Sequence, residues 1–165
     1  MVALPRAGTH EADISRAVAS AIVTNVPSDA PYQLRVAPED AFDATVGFVI
    51  DESDEVGRCT GHLAVTPRVC QPMGIVHGGV YAAIAETLAS HGTARGVLAN
   101  GKVPLGMSNN TSFLRPVSEG SVRGIGTAVH RGGTTWVWDI EMRDDLDRLC
   151  AVSRVTIAVR DHGPK

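Results

Sequence analysis

Residues 80–98 limit what this chain can fold into more than any other segment. They are mostly Ala, Ile, Leu, Val and Tyr and include no proline, a composition that favours a helix and makes it apolar nearly all round. Such a helix is stable in water only when other parts of the chain cover most of its sides. The sequence therefore has to supply a wrapping layer, and within the apolar run it carries one carboxylate, Glu86. Immediately upstream, Gln71-Pro72-Met73-Gly74-Ile75-Val76-His77-Gly78-Gly79 reads as a polar, glycine-rich turn. Gly78 and Gly79 permit close backbone approach to another group, and the first amides of the helix are donors without partners inside it.

At a period of about 3.6 residues, Gly79, Ala82, Ala83, Glu86, Ser90 and Thr93 fall on one stripe of the helix, with Tyr81, Ile84 and Leu88 elsewhere. Small residues leave room for a ligand that both Glu86 and Ser90 can reach. A plainer reading pairs Glu86 with one of the arginines and turns the Ser90 hydroxyl back onto its own helix. The upstream turn favours the first reading, because unpaired amides at a helix start stabilise developing negative charge. A carboxylate one to two turns beyond such a turn suggests acyl chemistry at a carbonyl.

The wrapping layer is legible as β-structure. Residues 42–50 and 58–66 are rich in alternating β-branched and small residues and read as a hairpin, with residues 51–57 as its turn. Beyond Gly101 and Lys102 come strand-like runs at 105–114, 121–130, 134–143 and 149–159, separated by segments with turn chemistry. Two strands, one long helix and four strands indicate α+β with an antiparallel sheet, not alternating βα units. Trp136 and Trp138 alternate on one strand face and are expected to pack in the core or at an interface. Residues 1–40 read as a detached arm: 11–23 suggest a short amphipathic helix and Pro27, Pro31 and Pro38 follow. Residues 41–165 form the expected single domain.

Composition narrows function by exclusion. A net charge of −3 with a pI near 6.0 gives no global attraction to nucleic acid or to anionic membrane. No apolar run approaches the roughly 20 residues of a membrane span, and the N-terminal residues do not resemble a signal peptide, so a cytoplasmic location is the expectation. Cys59, Cys70 and Cys150 form neither a disulfide framework nor a zinc spacing, the six histidines lack HxxxH, and no metal is expected. Cys70, beside the turn, is read as packing.

Residues 71–90, together with Val46-Gly47-Phe48-Val49-Ile50, Ser108-Asn109-Asn110-Thr111-Ser112-Phe113-Leu114-Arg115-Pro116-Val117 and Gly133-Thr134-Thr135-Trp136-Val137-Trp138-Asp139, resemble the hotdog-fold acyl-CoA thioesterases. In that fold an antiparallel sheet wraps a long central helix. Within the superfamily the chain is most similar to the Arthrobacter-type 4-hydroxybenzoyl-CoA thioesterases of the wider phenylacetate-pathway group. The resemblance runs from about residue 43 to 160 and implies hydrolysis of an acyl-CoA thioester, aromatic in this group. It assigns Glu86 as nucleophile or general base, the Gly78 amide and Gln71 side chain to the carbonyl oxygen, and Ser90 to the hydrolytic water. His77 is read as fixing the turn by hydrogen bonding, with a role at the leaving sulfur as the alternative.

Arg115, Thr134 and Thr135 match positions that contact coenzyme A, which is part of the substrate; no separate cofactor is implied. The chain departs from the family at Ser90, where threonine is usual, at Gly133, where serine is usual, and in its tail Asp161-His162-Gly163-Pro164-Lys165. The resemblance also implies homodimers assembling into homotetramers, with each site at a subunit interface. Two other readings are a short- or medium-chain aliphatic acyl-CoA hydrolase and a non-catalytic acyl-CoA-binding sensor. A sensor would call for a DNA-binding domain or a basic N-terminal helix, neither of which the sequence contains.

Overall fold

The computed structural model describes residues 36–37, 40–51, 53 and 55–162. The expected arm helix at 11–23 and the last three tail residues lie outside the described residues. In chain order the elements are α1 (Phe42–Val46), β1 (Phe48–Ile50), β2 (Arg58–Ala64), a 3-10 turn (Pro67–Val69), α2 (Gly78–Val97), a 3-10 turn (Leu98–Asn100), β3 (Lys102–Phe113), β4 (Ser121–Arg131), β5 (Thr135–Asp144) and β6 (Leu149–Asp161). The strands form one antiparallel sheet of order β1-β2-β4-β5-β6-β3. The sheet curls around α2, giving the hotdog arrangement that the sequence implied.

The helix is covered as its composition demands. Tyr81, Ile84, Ala85, Leu88, Ala89, Gly92, Thr93 and Val97 are buried against Val122, Trp138, Ile140, Met142, Val155 and Ile157 of the sheet. Two glycines let the tryptophans reach the helix axis. A β-carbon on Gly92 would stand 2.3 Å from Trp138 Cη2, and one on Gly96 would stand 2.6 Å from Trp136 Cη2. The two indoles stack with centroids 6.1 Å apart, and Trp138 Nε1 donates to Thr93 Oγ1 at 2.9 Å inside the core. The tryptophans are thus core residues, as expected.

Three expectations need correction. Residues 42–46 are helical, not the first part of a strand. Asp43 sits in the first turn of α1, where the helix dipole favours an acid. Gly47 ends the helix at φ 80 and donates its N–H to the Asp43 carbonyl, a left-handed cap that interrupts any extended run through this point. Alternation alone had made 42–50 look continuous. Thr93 does not belong to a ligand-facing stripe; it points into the sheet and donates to Ala89 O at 2.8 Å. The third strand is also longer at its start, from Lys102. Pro104 is tolerated there because β3 is an edge strand and needs no amide on its open side.

The two sheet edges differ. β1 is three residues long, whereas β3 is twelve and exposes Leu105, Met107 and Phe113. A long edge with apolar side chains is one that proteins normally cover.

Candidate active site

Backbone pairing holds the glycine-rich turn. Cys70 and Val76 form an isolated antiparallel bridge. Inside it Gly74, at φ 77, donates to Gln71 O at 2.9 Å, and the Gln71 amide donates to Ile75 O at 2.8 Å. Val76 N–H reaches Val117 O at 2.8 Å, and His77 N–H reaches Val69 O at 2.9 Å. The chain is therefore delivered to the start of α2 in a fixed direction.

His77 is the N-cap of α2 in extended geometry, and its Nδ1 accepts the Gly79 amide at 2.9 Å. A ring that accepts at Nδ1 carries its neutral-form proton on Nε2. The Val80 amide is taken by His77 O at 2.9 Å. Of the first three amides of the helix, that of Gly78 is left without an acceptor among the described residues. A β-carbon there would stand 3.0 Å from the Phe113 ring. The unpaired donor thus belongs to a residue packed close to the rim of the Phe113 ring.

Glu86 lies partly buried on α2, facing the β3 edge of the sheet. It makes no ion pair among the described residues; its partner is Asn109 of β3, whose Nδ2 lies 3.2 Å from Glu86 Oε2. The same Nδ2 donates to Ala82 O at 2.9 Å. Glu86 Oε1 lies over Gly106, so close that a β-carbon there would be 2.1 Å from it. The carboxylate occupies the space that the missing side chain leaves.

From Glu86 a cleft of about 360 Å³ runs along the helix past Ser90 and His91, walled by Asp43, Ile50 and Pro104. No hydrogen bond ties the Ser90 hydroxyl back to the helix among the described residues, so it remains free to meet a ligand or water. Thr87, on the same wall, donates to Asp43 Oδ1 at 2.5 Å and pins α1 to α2. Burial, helped by the charge of Arg95, pushes the His91 imidazole down to about 4. The cleft therefore presents a neutral ring near pH 7. The sequence reading missed both Asn109 and His91. The polar run from Ser108 to Ser112 on an edge strand was the available signal for the first.

The coenzyme A candidates do not converge within one chain. Arg115 is exposed just beyond β3, at the Gly78 end, with its amide on Cys150 O at 3.0 Å. Thr134 and Thr135 lie at the β4–β5 turn, and their neighbourhood is the far end of β6, where Thr135 pairs with Ala158. Phe113, by contrast, pairs with Ala151. Seven residues of β6 separate these registers, about 23 Å of strand. Cys59 and Cys150 are buried thiols, Cys59 pushed up to about 11 by burial. Among the described residues no group of three or more His, Cys, Asp or Glu side chains is placed to hold a metal ion.

With this geometry in view, the comparisons with known proteins agree on one group. The Thioesterase superfamily profile matches residues 73–151. The 1,4-dihydroxy-2-naphthoyl-CoA hydrolase of Listeria monocytogenes is 37% identical over 116 residues, covering 70% of this chain and 93% of that protein. A crystal structure of a Haemophilus influenzae thioesterase superposes with a TM-score of 0.68 at 33% identity, over 72% of this chain and 82% of that one. The Escherichia coli PaaI protein from the phenylacetic acid degradation operon shares the fold, with a TM-score of 0.63 at 20% identity, over 70% of this chain and 81% of that one. Shared sequence over most of a relative's length, on the same sheet-wrapped helix, makes this chain a thioester hydrolase that belongs to the thioesterase superfamily.

Proposed function

We propose that the protein hydrolyses an aromatic acyl-CoA thioester to the free acid and coenzyme A, with Glu86 as its catalytic carboxylate, at a site completed by a second copy of the chain. The observation that carries this reading is the state of Glu86: a lone acid in an apolar helix, paired with no arginine among the described residues, gripped by Asn109 and open to a cleft.

The chemistry follows from what surrounds the acid. In the general-base route Glu86 takes a proton from water as the water oxygen bonds to the thioester carbonyl carbon, and Ser90 helps place that water. The resulting oxyanion is met by the Gly78 amide and the Gln71 side chain. Collapse breaks the carbon–sulfur bond, and coenzyme A leaves as a thiolate, which does not require a proton from His77. In the nucleophilic route Glu86 itself forms the new bond, and water then hydrolyses the anhydride. In either route His77 takes up the Gly79 amide and so leaves the Gly78 amide as the free donor.

Two distances favour a shared site. From Gly78 to Glu86 the helix rises about 12 Å, whereas the reacting atoms must lie about 3–3.5 Å apart in succession. Arg115 and the Thr134–Thr135 pair are likewise too far apart on one chain to hold one end of the same nucleotide. A second copy docked along the open β3 edge would bring Glu86 of one protomer toward Gly78 of its partner and cover Leu105, Met107 and Phe113. A dimer, and a tetramer built from it, is the assembly we propose, and we place it in the cytoplasm. Among the described residues no helix is long and apolar enough to cross a membrane.

The aryl preference rests on resemblance to the 4-hydroxybenzoyl-CoA type and on the naphthoyl-CoA hydrolase name of the Listeria relative. Thiol release from 4-hydroxybenzoyl-CoA, 1,4-dihydroxy-2-naphthoyl-CoA, phenylacetyl-CoA and hexanoyl-CoA tests it. Higher kcat/KM on the aryl substrates supports the proposal. A preference for hexanoyl-CoA overturns the aryl assignment, and tight binding without release from any of them would make the protein a sensor.

A further inference from the structure

We infer that Asn109 is a positioning residue that fixes the Glu86 carboxylate, and that it is itself oriented by a hydrogen-bonded chain from Thr111 to the buried Ser153. This inference rests on the reading of Glu86 given above and adds the residues that make its geometry specific.

The direction of every bond in the chain can be worked out. Ala82 O only accepts, so the Asn109 group that faces it at 2.9 Å is the amide NH2. That group also faces Glu86 Oε2 at 3.2 Å. Asn109 Oδ1 therefore points the other way, toward Thr111 Oγ1 at 2.8 Å, and Thr111 donates to it. Thr111 has one hydroxyl proton and has now used it. The 2.7 Å contact between Thr111 and Ser153 must then run from the Ser153 hydroxyl to Thr111 Oγ1. Ser153 is one of few buried polar side chains, only 6% exposed, and it gains a partner through this contact. The chain runs from the sheet interior to the carboxylate without an ambiguous link.

Its consequence is that the two oxygens of Glu86 differ. Oε2 is tied to Asn109, while Oε1, over Gly106, takes no hydrogen bond among the described residues and is the oxygen left for water or the thioester carbon. An asparagine that spans the helix backbone and the acid at once also prevents the side chain from swinging along the cleft.

The test compares Asn109→Ala, Asn109→Asp, Thr111→Val and Thr111→Ser with the parent and with Glu86→Ala, using 4-hydroxybenzoyl-CoA and thermal melting to confirm folding. Asn109→Ala should lower kcat about 10- to 100-fold with KM nearly unchanged. Thr111→Ser, which keeps the hydroxyl, should retain activity that Thr111→Val loses in part. Asn109→Asp places a second carboxylate beside Glu86, so the acid limb of kcat should move to higher pH; Asp43 and His91, which line the same cleft, are unchanged in that variant. A merely structural role would lower stability without these kcat-specific and pH effects. The inference is overturned if Asn109→Ala keeps kcat within about threefold of the parent while Glu86→Ala is inactive. If Glu86→Ala keeps parental turnover, the reading of Glu86 itself fails, and the inference with it.

Discussion

His91 should make the stability of this protein fall on the acid side, by an amount the structure sets. Its imidazole is held down to about 4, first by burial beside the cleft and then by the Arg95 charge. In the unfolded chain a histidine titrates near 6.5. Between those two values the unfolded state binds a proton that the folded state refuses, so unfolding takes up a proton and stability rises with pH. The contribution is complete above about pH 6.5 and is lost progressively as pH falls toward 4. A displacement of about 2.5 units corresponds to at most about 3 kcal/mol, and about 2 kcal/mol of that is gone by pH 5. Urea unfolding from pH 7.5 to 4.5, on the parent and on His91→Gln, isolates the effect, because other titrating groups act equally on both proteins. The two stability curves should converge or cross as pH falls, with the parent losing about 2 kcal/mol more by pH 5. Parallel curves would refute the reasoning, as would an NMR titration of the His91 ring in the folded parent with its midpoint above about 6.

Two further outcomes follow from close contacts. Gly106→Ala puts a β-carbon where Glu86 Oε1 now sits, 2.1 Å away. Displacing the carboxylate by about 1 Å should cost about 100-fold in kcat while the melting temperature holds; a loss of stability with kcat intact would contradict it. Thr93→Val keeps the shape of the side chain but leaves the buried Trp138 Nε1 without its acceptor. Chemical denaturation should register about 1–3 kcal/mol of destabilisation, with kcat per folded molecule unchanged, and a variant as stable as the parent would argue against the bond.

Much of the fold was legible because one constraint dominated. A helix apolar nearly all round needs a wrapping sheet, and the turn chemistry after Gly101 marked the strand boundaries closely. The failures share a cause. Where several arcs of a helix are small or apolar, periodicity groups residues without saying which arc meets the sheet, so Thr93 was grouped with Glu86 although it bonds Trp138. Nothing local marked Gly92 and Gly96, and only their contact with Trp138 and Trp136 explains them. Residues 42–46 alternate like a strand, and the left-handed cap at Gly47 decides otherwise. At the site, the place of His77 before two glycines marked it as a residue that fixes the turn by hydrogen bonding. The acid stood out in sequence, but its support did not. Asn109 is 23 positions away from Glu86, and nothing in local spacing connects them. The separation of Arg115 from Thr134 and Thr135 depends on β6 register, which no single segment encodes.

The most direct test of the account is thiol release from 4-hydroxybenzoyl-CoA by the parent and by Glu86→Ala, with both shown to be folded. The account predicts that the substitution abolishes most turnover, by at least about 1,000-fold or 4 kcal/mol in barrier. Turnover by Glu86→Ala within about tenfold of the parent, near 1.4 kcal/mol, would contradict it.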